Sequence, residues 1–295
     1  MQAATFTGFL AIAMWALLAL LTDSTGDIPA FQLTAMTFAI AALSGAASWL
    51  IRPGAWRALK VPAMAWLVGV GGLFGYHFVY FTALANAPAV DASLIAYLWP
   101  LFIVLGSALM PGETLKWHHV AGALAGLAGA AMIVTKGGSV SFEAQYAFGY
   151  AMAFGCALLW SAYSLLSRRL GAVQTDAVTG FCGATALLAL ACHLAFETTV
   201  WPQTGSQWLA VLFLGLFPVG AAFFAWDHGV KRGNIQILGA ASYASPLLST
   251  LILVVAGKAQ FTGTVLAACL LITFGAVLAS KDMIFPARRG VEEAV

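Results

Sequence analysis

Charge is what this sequence has least of. Asp, Glu, Lys and Arg make up 8% of its 295 residues and hydrophobic types 62%, whereas about a quarter of an ordinary soluble domain is charged. A soluble globular domain is excluded. The net charge of +2 is too small to suggest a nucleic-acid partner. Cysteine is scarce as well: Cys156, Cys182, Cys192 and Cys269 all lie in apolar runs without C-x-x-C spacing. Neither a disulfide frame nor a zinc site follows from them, and no metal or cofactor is expected. Acids are missing from the middle of the apolar runs, which argues against proton-driven exchange through a buried carboxylate.

What is present is long apolar stretches. A helix needs roughly 20 apolar residues to cross a bilayer, and such runs recur at 4–22, 30–51, 63–85, 91–110, 117–135, 146–167, 176–196, 207–228, 235–256 and 262–280. They do not alternate as β-barrel strands do. The run from Ala3 is too long for a signal-peptide core and lacks a basic n-region, so it is read as the first of ten membrane-spanning helices. Short connections leave no room for an inserted soluble domain.

Basic residues fall on one side of these spans. Arg52, Arg57, Lys60, Lys116, Arg168, Arg169, Lys231, Arg232, Lys281, Arg288 and Arg289 share one set of loops and the C-terminal tail, while the other set holds Lys136 and Lys258. Basic loops stay in the cytoplasm, which predicts cytoplasmic termini and, in a bacterium, an inner-membrane location.

The halves echo each other. Trp15 matches Trp160 at an offset of 145, while Tyr97 matches Tyr243, Pro100 matches Pro246 and Gly129-Ala130 matches Gly275-Ala276 at 146. A near-constant offset predicts two five-span repeats, 1–140 and 141–295. An odd number of spans inverts the second copy, and binding sites in inverted repeats lie near the midplane between the halves.

Ten spans in two inverted halves, with YLWPLF (Tyr97 to Phe102) followed by Gly112-Glu113, resemble the EamA-type branch of the drug/metabolite transporter superfamily over nearly the whole chain. The stretch GYHFVYFTALANAPAVDASLIAYLWPLFIV is similar to the aromatic amino-acid exporters of the YddG type. The resemblance implies an all-α integral membrane protein that exports small molecules. One departure is Gly257-Lys258 where the first half has Gly112-Glu113, so any role of that acid is not duplicated.

Candidate binding residues come from depth and periodicity. Trp49, Trp56, Trp66, Trp117, Trp201, Trp208 and Trp226 fall near span ends, where indoles anchor at the headgroups. Trp15, Trp99 and Trp160 lie deep within theirs. Trp160, Tyr163, Ser164 and Ser167 share one helix face, Tyr76, His77 and Tyr80 cluster within about one turn, and Ser93, Tyr97 and Pro100 share another face. Gly239, Ser242, Ser245 and Ser249 form a small, polar strip that serves binding or close helix packing. Pro100 and Pro246 lack an N–H and would free the carbonyls of Ala96 and Ser242; they are the candidate hinges. Asp227, with Lys231 four residues on, reads as an ion pair at the cytoplasmic end, and Gly71-x-x-x-Gly75 and Gly122-x-x-x-Gly126 as helix contacts.

Together these predict an exporter of amino acids, aromatic ones preferred, working by alternating access. The substrate would sit among Trp15, Tyr76, His77, Tyr80, Tyr97, Trp99, Trp160, Tyr163, Ser242 and Ser245, with the lipid bilayer as the other partner. Oligomeric state stays open, a monomer being compatible. The alternatives are a metabolite or drug exporter on the same fold, a membrane-embedded transferase built on Asp23-x-x-x-Asp27, or a purely structural membrane protein.

Overall fold

The computed structural model describes residues 1–138 and 142–284. The proposed repeat boundary at 140/141 and the tail arginines Arg288 and Arg289 lie outside the described residues. Among those described, every regular element is helical. Nine stretches are long and apolar enough to cross a membrane: Gln2–Asp23, Ala30–Ser48, Ala63–Asn86, Ala89–Leu109, Trp117–Val134, Ala144–Arg169, Thr175–Phe196, Gly205–Arg232 and Ile235–Val255. A shorter apolar helix, Gly263–Ala279, completes the ten; they are numbered spans 1 to 10 in this order. They match the predicted runs to within a few residues.

Three spans are broken at mid-depth. Span 1 divides into Gln2–Trp15 and Leu18–Asp23, span 4 into Ala89–Ala96 and Trp99–Gly106, and span 9 into Ile235–Ala241 and Ala244–Val255. Pro100 and Pro246 sit just past the last two breaks, because proline cannot donate to the preceding turn. Spans 3 and 8 instead carry a π turn each, Gly71–Gly75 and Phe217–Ala221, 146 residues apart (217 − 71). Repeat symmetry therefore extends to the breaks of spans 4 and 9 and to the two π turns, but not to span 1, whose mate, span 6, is one unbroken helix over Ala147–Arg169.

Span 5 packs on span 10 through glycine. A Cβ on Gly122 would stand 2.4 Å from the Gly275 carbonyl oxygen, and one on Gly275 2.5 Å from that of Gly122, so the backbones touch where any side chain would separate them. Gly126 of the same motif lies under the Tyr243 ring. The other predicted contact motif fails: Gly71 has nothing within 4 Å and Gly75 meets only Leu159, at 3.7 Å. Its glycines form the π turn instead, and Gly72 accommodates the Tyr163 ring, 2.4 Å from where a Cβ would be.

Two ion pairs tie the span ends together, and they are repeat mates. On the basic face Arg168, at the end of span 6, pairs with Glu113 beyond span 4 and also donates to the carbonyls of Val230 (2.7 Å) and Gly233 (2.9 Å). On the opposite face Lys258, beyond span 9, pairs with Asp23 at the end of span 1. Both correspondences have an offset of 145 (258 − 113 and 168 − 23) with the charges exchanged. Lys258, which stands where the first half has Glu113, thus keeps an ion pair with its polarity reversed, although the acid itself is not repeated. Asp23 is held by Lys258, which gives the Asp23-x-x-x-Asp27 motif a structural role.

Asp227 and Lys231 form the expected pair at 2.8 Å, but with side-chain exposures of 2% and 4% they are buried. Thr175 donates to Asp227 (2.7 Å) and Lys231 to the Val173 carbonyl (2.9 Å), so every charge of the pair is met, as burial requires. Asp91 is also buried, accepting from the Tyr150 hydroxyl at 3.0 Å. The expectation that no carboxylate is buried is corrected on both counts.

Candidate functional site

The breaks, the π turns and the deep aromatics converge on one cavity of about 740 Å³. Its deep end is walled by Trp15, Trp99, Trp160 and Phe223, and its mouth by Thr22, Ile28, Ala30, Leu84, Ile133 and Leu253. The mouth residues lie at span ends remote from the basic loops, so the cavity opens on that face and is closed toward the basic one.

The closure is aromatic. Trp15 lies 5.7 Å from Trp160, 6.4 Å from Trp99 and 5.1 Å from Trp226, centroid to centroid. Trp99 and Trp160 meet edge to face at 6.2 Å. Each such pair contributes about 0.5–1.5 kcal/mol beyond burial. Two of the indole N–H groups are satisfied: Trp15 donates to the Pro218 carbonyl (3.1 Å) and Trp226 to the Ser164 hydroxyl (3.1 Å). Trp226 is wholly buried, which corrects its assignment to the interfacial belt. Span 8 runs one turn further than its apolar run suggests, placing Trp226 in the plug. Among the other six, Trp56, Trp117, Trp201 and Trp208 are exposed, while Trp66 is packed against Phe181.

Along the wall Tyr76 and Tyr80 stack at 5.8 Å with planes 12° apart, and Tyr76 tilts onto Trp160 at 5.4 Å. His77 stands edge-on to Phe38 at 5.1 Å, and Phe38 stacks on Phe223 at 5.5 Å. The His77 Nδ1 is 2.7 Å from the Leu73 carbonyl. A carbonyl only accepts, so Nδ1 carries the proton and Nε2 of the neutral ring is an acceptor. Leu73 belongs to one π turn and Pro218 to the other, so each π turn lends a carbonyl to a cavity residue, in keeping with π turns at functional sites.

Of the predicted residues, Trp15, Tyr76, His77, Tyr80, Tyr97, Trp99, Trp160 and Ser245 line the cavity together with Pro246. Tyr163 and Ser242 do not. Tyr163 is 2% exposed against Gly72, and Ser242 is fully buried with its hydroxyl on the Leu238 carbonyl at 2.7 Å. The Ser242 carbonyl, expected to be free, accepts the Ser245 N–H at 3.1 Å. The polar strip of span 9 therefore splits: Gly239 packs against Pro100 and Val104, while Ser245 and Ser249 face the cavity. Thr34, Thr37, Phe38 and Phe223 also line it, and sequence reasoning missed them. Phe38 falls four residues after Thr34 on one helix face, and Phe223 is the repeat mate of His77 (223 − 146), so both signals were present.

Among the described residues, no Asp, Glu, Lys or Arg lines the cavity. It can bind a flat apolar group by ring contact and polar ends by hydroxyls, one imidazole nitrogen and backbone carbonyls.

The EamA-like transporter family model matches the chain twice, over residues 2–135 and 147–281. The chain is 52% identical to the aromatic amino acid exporter YddG of Ancylobacter novellus, over 95% of this chain and 97% of that protein. It is 28% identical to a probable terminal-alkyne amino-acid exporter of Streptantibioticus cattleyicolor, over 79% and 82%. A solved crystal structure 52% identical in sequence superposes with a TM-score of 0.92, covering 95% of this chain and 97% of the other. Two matched copies, ten helices and a cavity between the halves agree: this chain is a multi-pass membrane protein that belongs to the EamA-like transporter family.

Proposed function

We propose that this protein exports amino acids, aromatic ones preferred, by alternating access around the cavity, and that it is not an enzyme. The observation that carries this reading is the uncharged, aromatic-walled cavity at mid-depth. The 52% identity to an exporter of that class supports it. The substrate ring would stack among Trp15, Tyr76, Tyr80 and Trp160. Its ammonium would meet ring faces, the Ala96 carbonyl and the acceptor nitrogen of His77. Its carboxylate would meet the hydroxyls of Tyr97, Ser245 and Ser249, because a neutral His77 with Nδ1 on Leu73 has no donor left for it.

With basic loops in the cytoplasm of a bacterial inner membrane, the cavity faces outward. Export then requires the two repeats, which we place on either side of residue 140, to rock about Pro100 and Pro246 until the tryptophan plug opens. A neutral site predicts facilitated transport that depends weakly on pH. Uptake of labelled phenylalanine or tryptophan into proteoliposomes tests this: saturable uptake competed by aromatic amino acids is expected. Transport that needs an imposed proton gradient, or is competed equally by cationic dyes, would count against it.

A further inference from the structure

The basic face carries a second cluster, unrelated to the cavity. We propose that His118, His119 and Asp282 form a binding site for a divalent transition-metal ion of the zinc class. His118 and His119 open span 5, and Asp282 lies just beyond span 10. One ligand atom from each falls within 4.8 Å of the others. The two imidazoles pack at 4.4 Å between centroids.

Three features point to a ligand rather than to packing. First, the Nε2 of His118 is buried and makes no hydrogen bond to the described residues, on a side chain only 4% exposed. A native protein rarely leaves such a nitrogen unmet. Second, it lies 3.5 Å from the Asp282 carboxylate. That is long for a hydrogen bond but close to the roughly 3.3–3.5 Å between two ligands of one tetrahedral ion bound at about 2.0–2.1 Å. Third, two imidazoles and a carboxylate are a donor set that zinc takes with its fourth position left to water. The ion has a way in, since Asp282 and Lys116 are about half exposed.

Two groups compete with the metal. The Lys116 ammonium is hydrogen-bonded to Asp282 and holds its carboxyl below the usual carboxylate range, so the ligand is already ionised at neutral pH. The Lys116 backbone N–H donates to His119 Nδ1 at 3.2 Å, a long bond that metal coordination of the ring would replace. Binding therefore exchanges one weak hydrogen bond and a solvent-exposed ion pair for the ion. Once bound, the ion ties the first repeat to the second beside the Gly122–Gly275 contact.

The test uses the full chain in detergent with any histidine tag removed, titrated with Zn²⁺ by calorimetry and with Co²⁺ by visible absorption. One ion per chain is expected, with the intense bands of tetrahedral Co²⁺. His118→Gln and Asp282→Asn should each weaken binding at least about tenfold, and Lys116→Met, which removes the competing cation, should tighten it. His228→Gln should leave it unchanged. Because Asp282 and Lys116 are solvent-exposed, these two variants decide the matter even if His118→Gln fails to fold. Absence of 1:1 binding, or binding indifferent to both Asp282→Asn and Lys116→Met, overturns the site.

Discussion

Tyr97 and Tyr243 are repeat mates, yet they do different work, and replacing each with phenylalanine separates the two roles. Span 4 is broken at Tyr97–Leu98, and the Leu101 N–H that follows donates to the Tyr243 hydroxyl at 3.1 Å, across the repeat interface. Tyr243 is fully buried, so no water replaces the lost oxygen in Tyr243→Phe. An orphaned buried N–H costs about 1–3 kcal/mol. At roughly 2–4 °C per kcal/mol, the range for soluble domains of 150–250 residues, the melting temperature should fall by about 2–12 °C with substrate affinity unchanged. The Tyr97 hydroxyl makes no hydrogen bond to the described residues and faces the cavity. Tyr97→Phe should therefore melt within about 0.5 kcal/mol of the parent, while losing one neutral hydrogen bond to substrate. At about 0.5–1.5 kcal/mol that is roughly a 2- to 12-fold weakening. Fluorescence-monitored melting in detergent, paired with competition binding of tryptophan, reads both. If Tyr97→Phe destabilised the protein as much as Tyr243→Phe, or Tyr243→Phe alone weakened binding, the division of labour would be refuted.

Gly122→Val should lower the folded yield sharply, because its Cβ would meet the Gly275 carbonyl, a backbone atom that cannot swing away; overpacking of this kind costs about 1–3 kcal/mol or more, and size-exclusion profiles of detergent extracts show it. Trp226→Ala should cost about 3–5 kcal/mol, whereas an interfacial tryptophan such as Trp201, 57% exposed, should tolerate alanine with far less; melting in matched detergent compares them. Glu113→Gln should destabilise the protein by about 1.5–3 kcal/mol, since its pair with Arg168 is only 14–19% exposed. Lys258→Gln, in the exposed mate of that pair, should cost under about 1 kcal/mol, and equal losses in the two would refute the distinction.

The ten helices were legible because bilayer thickness and the scarcity of charge impose a pattern that survives any detail of packing. The deep aromatics Trp15, Trp99 and Trp160 were legible for the same reason. Tyr163 and Ser242 were misplaced because helix periodicity fixes which residues share a face, not what that face meets. One face of span 6 turns Trp160 to the cavity and Tyr163 to Gly72. Trp226 escaped because the span was ended by its charges, and burial of the Asp227–Lys231 pair extends the helix past them. Applying the repeat offset to Tyr80 would have found it, since 226 − 146 is 80. The π turns left no trace in composition: Gly71–Gly75 looked like a contact motif, and Phe217–Ala221 contains a proline that suggests only a kink.

The exchanged charges of Glu113–Arg168 and Asp23–Lys258 have a historical implication. If both repeats descend from one ancestral unit, two identical units would have paired with the same polarity at both ends, and one of the two pairs has since inverted it by a change in each copy. Changing either partner alone would have set like charges against each other, so the inversion required both positions to change in concert or through a neutral intermediate. The route is open to reconstruction: Glu113→Lys and Arg168→Asp should each be poorly tolerated alone, and the double variant should regain much of the lost stability. Such a pair would tie the lineage of the two halves together more firmly than residues that merely stayed the same.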